Sequence, residues 1–145
     1  MLAAVEAMRA RRSGPDDLLV YREGRTWHDV RSSDVNAYIQ AQIGEEFSAK
    51  DFRTWHATVL AAVELAATPK PRSRSGVERT IRSAIERVAE ALGNTPAVCR
   101  DSYIDPRVFD RFREGRTISL PAKSNGTVGE RTRHRIERAV LDLIG

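Results

Sequence analysis

Most of the chain consists of segments whose apolar residues recur every three to four positions between recognisable helix caps, a pattern that only a helical body satisfies. The clearest run is residues 77–92, where Val77, Ile81, Ile85, Val88, Ala89 and Leu92 form one stripe, charges fill the other positions and Gly93 supplies the stop. Phe52, Trp55, Val59, Leu60 and Val63 keep the same spacing in a segment that runs to about Ala67. Ser48 caps it with Asp51 three residues on, which predicts a buried central helix.

The remaining segments follow the same grammar. Residues 2–11 form a short Ala-rich helix ended by Ser13-Gly14-Pro15, and Ser33 caps a helix over 34–43 in which Val35, Tyr38 and Ile39 share a face before Gly44. Between them, Leu18 to Tyr21 and Thr26 to Val30 flank Glu23-Gly24 as a small hairpin. Thr95-Pro96 and Asp105-Pro106 each pair a capping residue with proline, so a short helix starts at each. The last helix covers 130–143 through Ile136, Val140, Leu141 and Ile144. Residues 68–76 hold two prolines, three cations and no apolar anchor, which makes a basic surface loop, and residues 115–129 read as a loop before the final helix. The expected fold is mainly α: a single helical domain over 1–145 with at most a short N-terminal hairpin.

With 145 residues, two separate cores would each have about 70 residues, which is marginal without disulfides or metals. Cys99 is the single cysteine, which excludes an intrachain disulfide and the zinc and iron–sulfur sites that need several thiolates. Charges break every apolar stretch well short of the roughly 20 residues needed to span a bilayer. The cations near the N-terminus follow the apolar residues, the reverse of a secretory signal, so a soluble cytoplasmic protein is expected. Lys and Arg total 24 against 20 Asp and Glu, a net charge of +4, and lysine occurs only at Lys50, Lys70 and Lys123. Arginine's planar fork matches phosphate, although an inert surface can carry the same net charge.

No Gly-rich phosphate loop, ligand-spaced histidine pair or nucleophile elbow is present, and His28, His56 and His134 are scattered. Cys99, near an expected helix start, reads as a small buried hydrophobe. Two segments stand out. In Ala49-Lys-Asp-Phe-Arg-Thr-Trp55 the cations Lys50 and Arg53 share one side of a helix start. In residues 92–107 a helix start, an arginine and Tyr103 share a polar setting.

Together with DVNAYIQ at 34–40, KDFRTW at 50–55 and NTPAVCRDSYIDPR at 94–107, spaced so that fifty residues separate Arg53 from Tyr103, the chain resembles the type IB DNA topoisomerases. The likeness is to the C-terminal part of the catalytic domain in the bacterial and poxvirus-like branch, and it covers residues 1–110 better than the tail. The resemblance implies that Tyr103 attacks a DNA phosphodiester to form a 3′-phosphotyrosyl link, and that Arg53 holds the non-bridging oxygens. Asn94 stands where many relatives have a histidine that donates to the same phosphate, and an asparagine amide can donate there without titrating. Lys50, the loop cations Lys70, Arg72 and Arg74, and Arg100 are the expected DNA contacts. The resemblance also implies double-stranded DNA as partner, a nucleoid-associated monomer, no cofactor, and no metal or ATP, since the covalent link conserves the energy of the broken ester.

The residue types suit that chemistry. A phenol with a pKa of about 10 is a poor nucleophile at neutral pH, so cations must stabilise both the phenolate and the charge on the transferring phosphate. In the family another arginine and a lysine general acid precede the matched region, and their positions are expected to fall before Met1. The early cations Arg9, Arg11, Arg12, Arg22, Arg25 and Arg31 do not sit in that motif, and arginine is a poor proton donor at pH 7. The isolated chain is therefore expected to bind DNA weakly and to cleave or relax it poorly or not at all. An upstream domain or polypeptide would supply the missing groups. Two alternatives stay open: a non-catalytic helical binding module with Tyr103 in its core, and a tyrosine recombinase-like protein, against which Lys50 stands where recombinases usually have histidine.

Overall fold

The computed structural model describes residues 2–121 and 130–145, which form seven helices and one two-stranded sheet, a mainly α protein as expected. They divide into two compact units, Met1–Ala49 and Lys50–Gly145.

The first unit carries α1 (Leu2–Arg9), β1 (Val20–Glu23), β2 (Thr26–Asp29) and α2 (Ser32–Ile43). The expected hairpin forms, with Val20 opposite Asp29 and Glu23 opposite Thr26. Gly24 takes φ +59°, the positive value a two-residue hairpin turn needs at its first position. Ser33 does not cap α2. The helix starts two residues earlier, at Ser32 with Arg31 as its cap, and the Asp34 carboxylate reaches back to accept the Arg31 N–H at 2.7 Å. Val35 and Tyr38, the expected apolar face of α2, are exposed.

The second unit contains every residue of the hydrophobic core found among the described residues. It takes in α3 (Ala49–Ala67), which follows Ser48 directly, from Lys50 onward, and continues through α4 (Arg74–Leu92), α5 (Pro96–Ser102), α6 (Arg107–Arg113) and α7 (Glu130–Ile144). The buried side of α3 differs from the expected stripe: Ala57, Thr58, Ala61, Ala62 and Leu65 are buried, Trp55, Val59, Leu60 and Val63 pack at the core's margin, and Phe52 is exposed. The physical reason is size. Small residues on this face leave room for the Asp105 backbone to reach Thr58, whereas large residues occupy the flanks. Along α4 the expected stripe holds, with Ile81, Ile85, Val88 and Ala89 joined in burial by Ala84.

Helix boundaries follow local hydrogen bonding. The loop expected over 68–76 is shorter, because the Ser73 hydroxyl accepts the Gly76 N–H at 3.1 Å and starts α4 at Arg74. Arg74 therefore belongs to a helix and not to a loop. Gly93 ends α4 in the left-handed region, at φ 64° and ψ 38°. Thr95 then caps α5 by accepting the Val98 N–H, with Pro96 as its first residue. The expectation for residues 122–129 lies outside the described residues. In α7, Leu141 is exposed, and Leu143 takes its place beside Ile136, Val140 and Ile144, because positions 136, 140, 143 and 144 share one side of a 3.6-residue helix.

Two arginines of α6 fasten the end of α7: Arg107 Nη1 donates to the Ile144 carbonyl at 2.8 Å, and Arg111 Nε to that of Leu143 at 3.0 Å. These carbonyls have no partner within the helix, and its negative dipole end favours a cation there. Arg107 is itself held by Asp105, whose carboxylate accepts its backbone N–H at 2.9 Å and its Nη2 at 2.7 Å. Those hydrogen bonds, outweighing partial burial, hold the Asp105 carboxyl below the usual carboxylate range. A depressed folded-state pKa adds stability above the unfolded value of about 3.9 and loses it as pH falls through the folded value. Asp105→Asn should thus lower Tm at neutral pH, and the gap from wild type should close as acidification carries the carboxyl through its depressed folded-state pKa. Thermal unfolding followed by circular dichroism across pH checks this.

Candidate active site

The turn between α4 and α5 builds the site. Gly93 N–H bonds back to Ala89 and Glu90, and Asn94 N–H to Ala89 at 2.9 Å, which closes α4 without using the Leu92 carbonyl. That carbonyl accepts Arg53 Nη2 from α3 at 2.6 Å. A guanidinium at a helix C-terminus is also favoured by the dipole. The same guanidinium lies over the Tyr103 ring, with Cζ 5.1 Å from the ring centroid, a cation–π placement. One side chain thus ties α3 to the end of α4 and to the residue that follows α5.

Asn94 sits beside Cys99, which is fully buried on α5. Burial pushes the Cys99 thiol up, and the Arg53 charge and the Asn94 amide only partly offset it. Tyr103 follows one turn later, its backbone N–H bonded to the Cys99 carbonyl at 3.1 Å. It is half-buried at the margin of the core. Arg53, Asn94 and Tyr103, the three residues singled out in the sequence as catalytic, are therefore brought together around α5.

Two buried donors in this cluster, Arg53 Nε and Asn94 Nδ2, lack an oxygen or nitrogen acceptor among the described residues, and Asn94 has only the weakly accepting Cys99 sulfur beside it. An orphaned buried donor costs roughly 1–3 kcal/mol, more when charged, and folded proteins leave few. Two in one cluster, one on a guanidinium, are chemically suited to an oxyanion.

The expected DNA-contacting residues occupy other places. Lys50 is exposed at the start of α3, one turn before Arg53. Lys70 is exposed with its ammonium beside Gly115, where an added Cβ would come within 2.7 Å of Nζ. Arg72 and Arg74 border a recess of about 370 Å³ with Pro71, Ser73, Glu78 and Arg113. Arg100 lies on another side of α5, at the rim of a cleft of about 540 Å³ floored by Ile81, Ile85, Ile104 and Phe109. Among the described residues, no hydrogen bond or ion pair connects Lys70, Arg72, Arg74 or Arg100 to the Arg53 cluster.

Two contributors escaped the sequence reading. The Leu92 carbonyl is a backbone group and carries no side-chain signal. Thr58 is the one hydroxyl among the buried residues of α3, on the face it shares with the alanines and Thr54. Its Oγ1 donates to the Thr54 carbonyl at 2.8 Å and accepts the Asp105 N–H at 3.1 Å.

Most of the chain has counterparts in known proteins. The family model described as eukaryotic DNA topoisomerase I, catalytic core, matches residues 10–116. The match takes in most of the chain, and the protein belongs to the type IB DNA topoisomerase family. Its relatives include the DNA topoisomerase 1B of Acanthamoeba polyphaga mimivirus, 35% identical over 102 residues. Those residues are 68% of this chain and 30% of the viral protein, so the chain spans about 30% of the length of the curated relative it matches. No helix among the described residues is long and apolar enough to cross a membrane.

The burial of Cys99 gives a direct check. Iodoacetamide at about pH 8, near the ordinary thiol pKa, should leave Cys99 unmodified in the folded protein and label it in denaturant. Mass spectrometry reads the difference, and rapid labelling of the native chain would contradict the packing of α5.

Proposed function

We propose that Arg53, Asn94 and Tyr103 are the phosphate-handling part of a type IB topoisomerase active site acting on double-stranded DNA. The observation that carries this reading is the pair of orphaned donors, Arg53 Nε and Asn94 Nδ2, in the cluster that holds the Tyr103 ring. An oxyanion bound there satisfies both and adds charge-assisted hydrogen bonds.

In the proposed reaction the Tyr103 oxygen attacks the scissile phosphorus and the bond to the 5′ oxygen breaks. The phenol proton passes to solvent, and the departing 5′ oxygen takes up a proton. Arg53 and Asn94 stabilise the charge that builds on the non-bridging oxygens, the type of contact that is worth most where water is excluded. Return of the 5′ hydroxyl reverses each step and reseals the strand. Lys50 and the Lys70, Arg72 and Arg74 group hold flanking phosphates. Arg74 stands in the first turn of α4, which has no acidic residue, so the helix dipole and the cations together favour phosphate there.

We further propose that this 145-residue chain cleaves ordinary DNA poorly, because the early cations near the hairpin are all arginines, which do not release protons to a leaving group at neutral pH. This separates two experiments. A substrate with sulfur replacing the departing 5′ oxygen needs no proton donor, since a thiol's pKa of about 8.5 lies far below that of an alcohol. The chain should form a covalent adduct on the sulfur substrate and little on the oxygen one. Tyr103→Phe should abolish the adduct, and Arg53→Gln should slow it by about 10²–10³-fold, the scale seen for lost oxyanion donors. Absence of adduct on both substrates would leave a non-catalytic module. Efficient Tyr103-dependent plasmid relaxation would refute the poor-cleavage proposal alone.

DNA contact has its own measurement. Replacing Lys70, Arg72 and Arg74 by Gln should reduce the slope of log affinity against log salt by about 2–3, at about 0.9 per phosphate contact. The loss should be similar on unrelated duplexes, because phosphate contacts carry no sequence information.

A further inference from the structure

We infer that Thr58 is a positioning residue that sets the register of Tyr103 against Arg53. In its catalytic consequence this rests on the function proposed above. In its geometry it stands alone.

Thr58 is 1% exposed and is the one buried polar side chain among the core residues described. Its hydroxyl is used twice: it donates to the Thr54 carbonyl within α3 and accepts the Asp105 N–H, which lies two residues beyond Tyr103. The first bond orients the hydroxyl so that a lone pair is presented to the second. At the other end, α5 has only seven residues, and its last bonds run from the Tyr103 and Ile104 N–H groups to the Cys99 carbonyl. The next N–H, that of Asp105, goes to Thr58.

The two anchors are complementary. Arg53 is fixed from the α4 side by the Leu92 carbonyl, which leaves the height of the Tyr103 ring to be set from α3 itself. Thr58 lies five positions after Arg53 on that helix, and a rise of about 1.5 Å per residue puts them about 7.5 Å apart along the axis. A single helix therefore carries both the cation and the hydrogen-bond acceptor that holds the ring's backbone under it. Packing of Cys99 and Ile104 confines the segment laterally, but apolar contact is non-directional and does not by itself fix a register along α3.

Amide exchange in the wild type and ring contacts in three variants decide the matter on the full chain. In the wild type, the Asp105 amide should be protected from hydrogen exchange at least a hundredfold over an unstructured amide. Exchange at the free rate would overturn the inference without any variant. In Thr58→Val, which keeps the volume and removes the hydroxyl, nuclear Overhauser contacts between the Tyr103 ring and the Arg53 side chain should fall by at least half, read below the unfolding transition. Thr58→Ser should retain them. Val88→Ala, a core truncation outside the cluster, should lower stability and leave these contacts intact, which a purely structural account would also demand of Thr58→Val. Intact contacts in Thr58→Val therefore refute the positioning role. Should Thr58→Val not fold, the wild-type exchange measurement and Thr58→Ser decide alone.

The catalytic arm uses the 5′-sulfur DNA substrate. Thr58→Val should slow adduct formation at least tenfold with DNA affinity changed by less than twofold, and Thr58→Ser should restore most of the rate. If the wild type forms no adduct while the spectroscopic contacts depend on Thr58, the functional reading falls and the tether stands. If adduct forms equally fast in wild type and Thr58→Val, the tether has no catalytic role.

Discussion

The Arg53 guanidinium joins three pieces of chain that are distant in sequence, and the geometry of the second unit's site follows from it. One nitrogen is committed to the Leu92 carbonyl, the central carbon lies 5.1 Å from the centroid of the Tyr103 ring, and a further nitrogen is left buried without an acceptor. A lysine could make the first contact but not all three at once, because its ammonium is a compact point charge without a fork or a flat face. The constraint spreads outward. Gly93 must take a left-handed conformation so that α4 closes on its earlier carbonyls and leaves that of Leu92 available.

The small residues on the buried side of α3 make this arrangement possible. Its buried side is built from Ala57, Ala61 and Ala62 with Leu65, so neighbouring segments can come near its backbone. A hydroxyl as short as that of Thr58 then reaches a backbone N–H on another element. Enlarging this side by even one or two methylenes costs about 1–3 kcal/mol in a well-packed core. The large residues that dominate the hydrophobic pattern of α3 lie at the margins, where they seal the core.

Much of this fold was legible because helices announce themselves locally. Gly93, Thr95-Pro96 and the apolar stripe of α4 act through contacts within a few residues, so the sequence alone predicts them. Arg53, Asn94 and Tyr103 were named from motif resemblance and are neighbours in space, but the resemblance could not show that Arg53 lies over the ring or which donors are unpaired. Periodicity misleads where tertiary packing overrides it: Phe52 and Leu141 match the helical spacing yet are exposed, and α3 turns its alanines inward. Ser33 and Arg74 depart from their expected places for a different reason. Several polar residues near a helix start can cap it, and only the hydrogen bonds chosen, Asp34 to Arg31 and Ser73 to Gly76, set the boundary. The Leu92 carbonyl was invisible in principle, since every residue has one.

The bonds from Arg107 and Arg111 to the last carbonyls of α7 distinguish two kinds of sequence change. Backbone acceptors are present whichever residues occupy positions 143 and 144, so this fastening tolerates replacement of side chains as long as the helix persists. It is sensitive to length instead. Removing a single residue from α7 turns its end by about 100° and draws it back by about 1.5 Å, which carries the carbonyls out of register with a fork that cannot follow. Along this helix, drift in composition is cheap, and insertions or deletions are the changes the structure resists.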